Sequence, residues 1–282
     1  MLRDLRDQGH RCGKNRIARL MREQGLHARQ KRRFRPCTTD SRHTLKPAEN
    51  WLARVPAPDQ PGQIWQSDIT YIETAEGWLY LAFTLDAFSR RCVAHHCQED
   101  MSVELTITTL ERAIFRQPPL RGLIHHSDRG SQYAASGFRQ RLHHSRITQS
   151  MSRKGNPYDN ALAESFVATL KTECFKDFIP TTKAAAKLMI FDYVETFYNS
   201  RRRHSSLGYR SPAQFEYDLA STLREGCSGG GSKGGETCPT SRSALAAFAV
   251  NNSAGKGGGV VQAAGNNPAQ SPNSLHTTNQ NY

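Results

Sequence analysis

Long apolar runs are missing from this chain of 282 residues. Its richest stretch, Trp78 to Phe88, is interrupted by Thr84 and Asp86, and no run approaches the ~18 apolar residues a membrane span needs. The amino terminus, Met1-Leu2-Arg3-Asp4, is charged and lacks an apolar signal core. Cysteines are few and odd in number: seven, at positions 12, 37, 92, 97, 174, 227 and 238. Neither Cys92 with Cys97 nor Cys227 with Cys238 has zinc-ribbon spacing, and no histidine pair stands at ligand spacing beside them. These absences argue against a membrane protein, a disulfide framework and a structural zinc, and lead us to expect a reduced, cytoplasmic protein. Acidic charge is also short, with 25 Asp and Glu against 38 Lys and Arg, a formal net charge of +13 and a pI near 9.7.

The excess charge is concentrated. Residues 1–46 carry 14 basic and 4 acidic side chains, whereas residues 47–225 carry 21 and 20. A basic arm on a near-neutral body suits a polyanionic partner. Within the arm, Ile17, Leu20 and Met21 fall at i, i+3 and i+4 and Gly25 follows as a stop, so residues 14–24 read as a short amphipathic helix with Arg16, Arg19 and Arg22 off its apolar face. Beyond it runs Arg29-Gln30-Lys31-Arg32-Arg33-Phe34-Arg35, either a solvated arm or a phosphate-binding one. Pro47, Pro56, Pro58 and Pro61 then mark a linker over residues 47–62. At ~150 residues per domain the length allows about two domains.

From Ile64 the pattern changes. Ile64–Ile72, Trp78–Asp86 and Arg91–His96 are β-branched or aromatic runs separated by Glu76-Gly77 and Ser89-Arg90, which predicts an antiparallel three-strand meander. A helix from Ser102 to about Phe115, a strand over Leu120–His126, a helix over Ser131–His143 and a short strand at Ile147–Gln149 follow. Asn156-Pro157 then reads as an N-cap with proline at the first helical position, opening a helix to about Phe175. A last helix, Lys183–Ser200, closes a body ending near residue 217. This order argues for a layered α/β sheet. The final 57 residues hold 11 of the 21 glycines with little apolar periodicity, so residues 218–282 are expected to form a mostly disordered tail.

Three acids sit where such a fold gathers them. Asp68 is a charge among Trp65, Ile69 and Tyr71 in a strand, costly unless paired or metal-bound. Asp128 follows the fourth strand, and open α/β sheets bind ligands at strand C-termini. Glu164 lies within the helix opened by Asn156-Pro157; at ~100° per residue Asn160 and Lys171 share its face, while Asp159 points about 140° away. Each acid alone has an ordinary reading: a paired strand Asp, a turn-capping Asp, a solvated helical Glu. His125, His126, His143 and His144 read as core-edge or surface residues.

The segments Trp65-Gln66-Ser67-Asp68-Ile69-Thr70-Tyr71-Ile72, His126-Ser127-Asp128-Arg129-Gly130-Ser131-Gln132-Tyr133, Asn156-Pro157-Tyr158-Asp159-Asn160-Ala161 with Glu164 and Lys171, and Tyr198-Asn199 with Arg203-His204-Ser205-Ser206-Leu207-Gly208-Tyr209 together resemble bacterial insertion-sequence transposases. More narrowly, they are similar to the OrfB protein of the IS-three family, whose core is similar to retroviral integrases. The resemblance spans about residues 10–217. It implies a ribonuclease-H-like mixed five-stranded sheet with flanking helices over 63–217, in which Asp68, Asp128 and Glu164 form a DDE triad. It also puts Lys171 in the place of a DNA-contacting basic residue, with Asn160 beside it. Residues 1–46 resemble a truncated helix-turn-helix-like segment, whose Arg16, Arg19, Arg22, Lys31, Arg32, Arg33 and Arg35 would meet DNA phosphates.

Three crowded carboxylates call for hard cations, and two Mg²⁺ or Mn²⁺ ions about 3.5–4 Å apart suit an in-line phosphoryl displacement. The implied activity is cleavage at insertion-sequence ends followed by strand transfer into target DNA. The implied partners are terminal repeats and target DNA, a homo-oligomer on DNA, and an OrfA product or fusion, at the bacterial nucleoid. A ribonuclease-H-like nuclease without strand transfer, or a non-catalytic DNA-binding regulator, would share parts of this pattern.

Overall fold

The computed structural model describes residues 1–26, 45–153 and 156–228. The basic run at 29–35, with Lys31, Arg32, Arg33 and Arg35, and the glycine-rich residues from 229 onward lie outside the described residues.

Strands β1 (Ile64–Thr74), β2 (Gly77–Asp86) and β3 (Cys92–Gln98) form the expected meander, with Gly77 at φ +100° making the first turn. After α3 (Val103–Arg116) the chain crosses to β4 (Ile124–Ser127), which runs parallel to β1. The short helices α4 (Ser131–Ala134) and α5 (Ser136–His144) lead to β5 (Thr148–Met151), parallel to β4. Sheet order is therefore β3-β2-β1-β4-β5, a five-stranded mixed sheet. Alternation along the strands sends side chains to two cores. On one face Ile72, Leu79, Leu81, Phe83 and Leu85 meet Ala163, Phe166 and Leu170 of α6 (Ala161–Cys174) and Ile190 of α7 (Lys183–Asp192). On the other, Trp65, Val93 and Met151 meet Leu110 and Ala113 of α3 and Phe138 and Leu142 of α5. The result is helices on both faces of one sheet.

Several expected elements shift. The helix drawn over 131–143 is broken at Ala135, whose backbone is extended (φ −64°, ψ 144°). Residues 157–160 form a 3-10 turn rather than the first turn of α6, and Asn160, not Asn156, stands at the α6 N-cap. The last predicted helix stops at Asp192 and continues as a π-helical turn, Tyr193–Tyr198. A further helix, α8 (Pro212–Ser228), crosses the boundary set at residue 217, so residues 218–228 of the expected tail are helical.

At the amino terminus, α1 (Leu2–Asp7) precedes α2 (Lys14–Glu23). Of the apolar stripe on α2 only Ile17 is buried, and Leu20 stays exposed. The proline-rich linker is docked on the body. The backbone amides of Trp51 and Leu52 donate to Ser150 Oγ, and Gly62 N donates to Asp86 Oδ2 at 2.6 Å.

Candidate active site

The last register pair between β1 and β4 is Ser67 with Ser127. One residue further, β4 has ended while β1 continues against β2, so Asp68 and Asp128 stand side by side where β1 loses its parallel neighbour. This is the carboxyl end of the parallel strands, where α/β sheets leave a crevice. Asp68 Oδ1 accepts from its neighbour Ile69 N at 2.9 Å, and Oδ2 accepts from Asn160 Nδ2 at 3.2 Å. Asp128 Oδ1 accepts from Gly130 N at 2.9 Å, an Asx-type turn that fixes the loop. A Cβ at Gly130 would come within 3.1 Å of that carboxylate oxygen, so glycine keeps the turn open.

Burial pushes the Asp68 carboxyl up to about 8, with the charge of Asp128 adding to it and that of Glu164 contributing less. The order matches the geometry: Asp128 is the strand neighbour, whereas Glu164 sits exposed on the first turn of α6. The three acids thus share one electrostatic centre. Among the described residues, however, no three His, Cys, Asp or Glu side chains are arranged to enclose a metal.

Asn160, placed by the resemblance beside the DNA-contacting Lys171, donates its Nδ2 to Asp68, and its Oδ1 is buried without a partner. Lys171 lies two turns along α6, half-buried, with its Nζ 4.3 Å from the Tyr71 ring centroid. Burial pulls its pKa down while the charge of Asp68 pushes it up. Arg16, Arg19 and Arg22 are exposed on α2, remote in sequence from this centre; Arg19 pairs with Glu23 and Arg22 bonds the Ala18 carbonyl.

Asp159 lies in the 3-10 turn before α6, so the helical phase that set it apart from Glu164 does not apply, and its carboxylate has partners of its own. Its carboxylate is buried and accepts from Asn50 Nδ2 (2.8 Å), Arg153 N (2.9 Å), Arg153 Nη2 (3.1 Å) and Asn156 Nδ2 (3.2 Å). The side-chain bond from Arg153 holds its carboxyl below the ordinary value. Asp159 therefore ties the linker, the exit of β5 and the start of α6 together, a role that sequence phasing alone did not show. The histidines of β4 are buried and neutral. Burial takes His125 to about 3 and His126 to about 4. Both ring nitrogens of His126 bond hydroxyls, Ser150 and Ser152, which staples β4 to β5. Asn199, in the Tyr198-Asn199 motif, accepts from Cys92 N at 2.9 Å and donates to Cys92 O at 3.0 Å, occupying free backbone groups of the edge strand β3.

Two integrase core domain models match residues 58–157 and 145–212, and an HTH-like domain model matches residues 1–34. The chain is 47% identical over 212 residues to an insertion element IS600 protein of Shigella sonnei, covering 75% of this chain and 78% of that protein. It is 39% identical to the transposase for insertion sequence element IS904 of Lactococcus lactis (75% and 83% covered) and 38% identical to transposase InsF for insertion sequence IS3A of Escherichia coli (76% and 74%). Among solved structures, the HTLV-2 integrase catalytic core domain in complex with magnesium aligns with a TM-score of 0.46 at 18% identity, covering 56% of this chain and 98% of that one. The simian T-cell lymphotropic virus intasome aligns with a TM-score of 0.47 at 18% identity, covering 64% and 61%. The chain belongs to the IS-three (IS3) family of insertion-sequence transposases, polynucleotidyl transferases of DNA transposition built on an integrase core.

Proposed function

We propose that Asp68, Asp128 and Glu164 are the catalytic triad of this transposase and that they hold divalent cations, two Mg²⁺ or Mn²⁺ ions, during cleavage of a 3′ end and its transfer to target DNA. The observation that carries this reading is the side-by-side placement of Asp68, midway along β1 where its pairing with β4 ends, and Asp128, just past β4, with Glu164 near enough to raise the Asp68 pKa. The donor set supports it. Carboxylate oxygens and the unpartnered Asn160 Oδ1 are hard ligands, and a cation would offset the cost of ionising Asp68 beside Asp128. Bound there, the cations would supply Lewis acidity and a nucleophilic oxygen at neutral pH.

The chain's own residues do the positioning. Ile69 N and Asn160 Nδ2 each fix one oxygen of Asp68. Gly130 N fixes Asp128. Glu164, exposed on the first turn of α6, would complete the carboxylate set. Lys171, set on Tyr71, offers a cation for a phosphate of the bound end, and Arg16, Arg19 and Arg22 with Lys31, Arg32, Arg33 and Arg35 contribute phosphate contacts from the amino-terminal segment. The working form is a homo-oligomer on paired terminal repeats, with OrfA sequence supplied as a product or a fusion.

The test is joining of an element-end oligonucleotide to a second DNA in Mg²⁺. Asp68→Asn, Asp128→Asn and Glu164→Gln should each lose cleavage and joining together, by about a thousandfold if ~4 kcal/mol of transition-state stabilisation is removed. Retention of cleavage without Asp68 or Asp128 would overturn the triad. Cleavage without any joining would favour the nuclease reading instead.

A further inference from the structure

A groove of about 660 Å³ runs beside the catalytic helix. One wall is a face of α6 that includes Ser165, Thr169 and Thr172; the other is the loop after the π-helical turn, with Arg202, Arg203, His204 and Ser206. Ser165 adjoins Glu164 in sequence but points about 100° round the helix from it, so the groove flanks the face of α6 that carries Glu164 and Lys171. Three guanidinium groups, Arg90, Arg202 and Arg203, line it against one carboxylate, Glu173. Arg202 is committed to Glu173 through both Nε (2.9 Å) and Nη2 (2.9 Å). The other two are not neutralised from within the groove. Arg90, held at φ +64°, has a buried Nε without a partner, and His204 Nε2 is likewise buried and unpaired. Arg203 is occupied from outside: its Nε lies 3.1 Å from Asp4 Oδ1 and its Nη1 2.6 Å from Asp7 Oδ2, both on α1.

An unpaired guanidinium N–H on Arg90, three arginines against one carboxylate and the wall hydroxyls suit the phosphates of a nucleic-acid backbone, while Leu162, Phe166, Tyr198 and Tyr209 supply an apolar side for its sugars. We propose that this groove holds the phosphates of the DNA strand running out from the catalytic carboxylates, through Arg90 and Arg203, and that Asp4 and Asp7 of α1 stand in for phosphate on Arg203 until DNA displaces them. The inference rests on the catalytic reading for where the strand begins. It also couples the amino-terminal segment to the core: α1 must release Arg203 for a phosphate to take its place, which frees the HTH-like region as the core engages.

Binding of the full chain to a fluorescent random-sequence duplex in EDTA, over a series of salt concentrations, tests this without any chemistry. Arg90→Ala and Arg203→Ala should each weaken binding about tenfold, the size of one lost charge-assisted hydrogen bond. Each should also flatten the plot of log affinity against log salt by about 0.9, one phosphate contact. Asp4→Asn with Asp7→Asn should tighten binding, and that gain should vanish in the Arg203→Ala background, which separates competition at Arg203 from a mere rise in net charge. Unchanged salt slopes in both arginine variants, with thermal melts showing them folded, would overturn the site. A gain from the Asp variants that persists without Arg203 would overturn the competition. Self-association that depends on Arg203 while DNA affinity does not would place a second copy in the groove and equally refute it. Because EDTA removes the reaction, failure here is distinct from failure of the triad, which is read by cleavage in the Asp68→Asn protein.

Discussion

Asp68→Asn should stabilise the metal-free protein while abolishing its chemistry. The Asp68 carboxyl has its pKa raised from 3.8 to about 8, first by burial and then by Asp128. A carboxyl whose folded value lies above its unfolded value favours the folded state only while protonated. That contribution is complete below the unfolded value near 3.8 and is lost as pH rises toward about 8. At pH 7 roughly three quarters of it is gone, a loss on the order of 2–4 kcal/mol for one strongly shifted group. The amide of the variant carries no charge, and its geometry fits: Asn160 can turn its amide so that the orphaned Oδ1 accepts from the new NH₂. For a domain of this size ~1 kcal/mol corresponds to about 2–4 °C, so in EDTA at pH 7 the variant should melt roughly 5–10 °C above the parent. Its melting temperature should also lack the parent's decline between pH 4 and pH 8. Saturating Mg²⁺ should raise the parent and leave the variant nearly unmoved, because ligand binding stabilises only the form that binds. A variant that melts below the parent in EDTA, or gains as much from Mg²⁺ as the parent, would refute the reasoning.

Asp159→Asn should lower folding stability by about 1–3 kcal/mol in a denaturant titration, through loss of the charge-assisted bonds from Arg153, while cleavage at a permissive temperature persists. Because its folded pKa lies below the ordinary value, Asp159 adds stability above the unfolded value that disappears as pH falls through the folded one, so the variant should show a flatter acid limb. Asn199→Ala should cost about 2–3 kcal/mol, since both backbone groups of Cys92 lose their partner. Asn199→Asp should rescue little, as a carboxylate accepts from Cys92 N but opposes Cys92 O. Truncation after Ser228 should leave the melting temperature nearly unchanged, whereas truncation after Tyr217 removes the Arg210 to Asp218 ion pair and about two thirds of the 17-residue α8 and should lower it measurably in the same scan.

What the sequence revealed of the fold followed from local signals agreeing with the tertiary result. The aromatic and β-branched runs and Gly77 specify the β1–β2–β3 meander without help from distant residues, and Asp68 is conspicuous as a lone charge inside such a run. α8 was not expected, although its signal is local too: Ser211 Oγ accepts from Gln214 N at 3.2 Å and Pro212 opens the helix, the same cap-and-proline pattern as Asn156-Pro157. At Asn156-Pro157 that logic misplaced the start of α6. The difference is long-range. The carboxylate of Asp159 is claimed by Arg153 and by Asn50, 109 positions away, and 156–160 tightens into a 3-10 turn around it. That turn also delivers Asn160 to Asp68, 92 positions away. No window over residues 150–175 contains Asn50 or Asp68. Two acids five residues apart on one segment therefore take opposite roles by what reaches them across the fold. Arg153 and two amides make Asp159 a structural anchor, while the exposed Glu164 acts on Asp68 only through its charge, which fits the metal-holding role proposed for it.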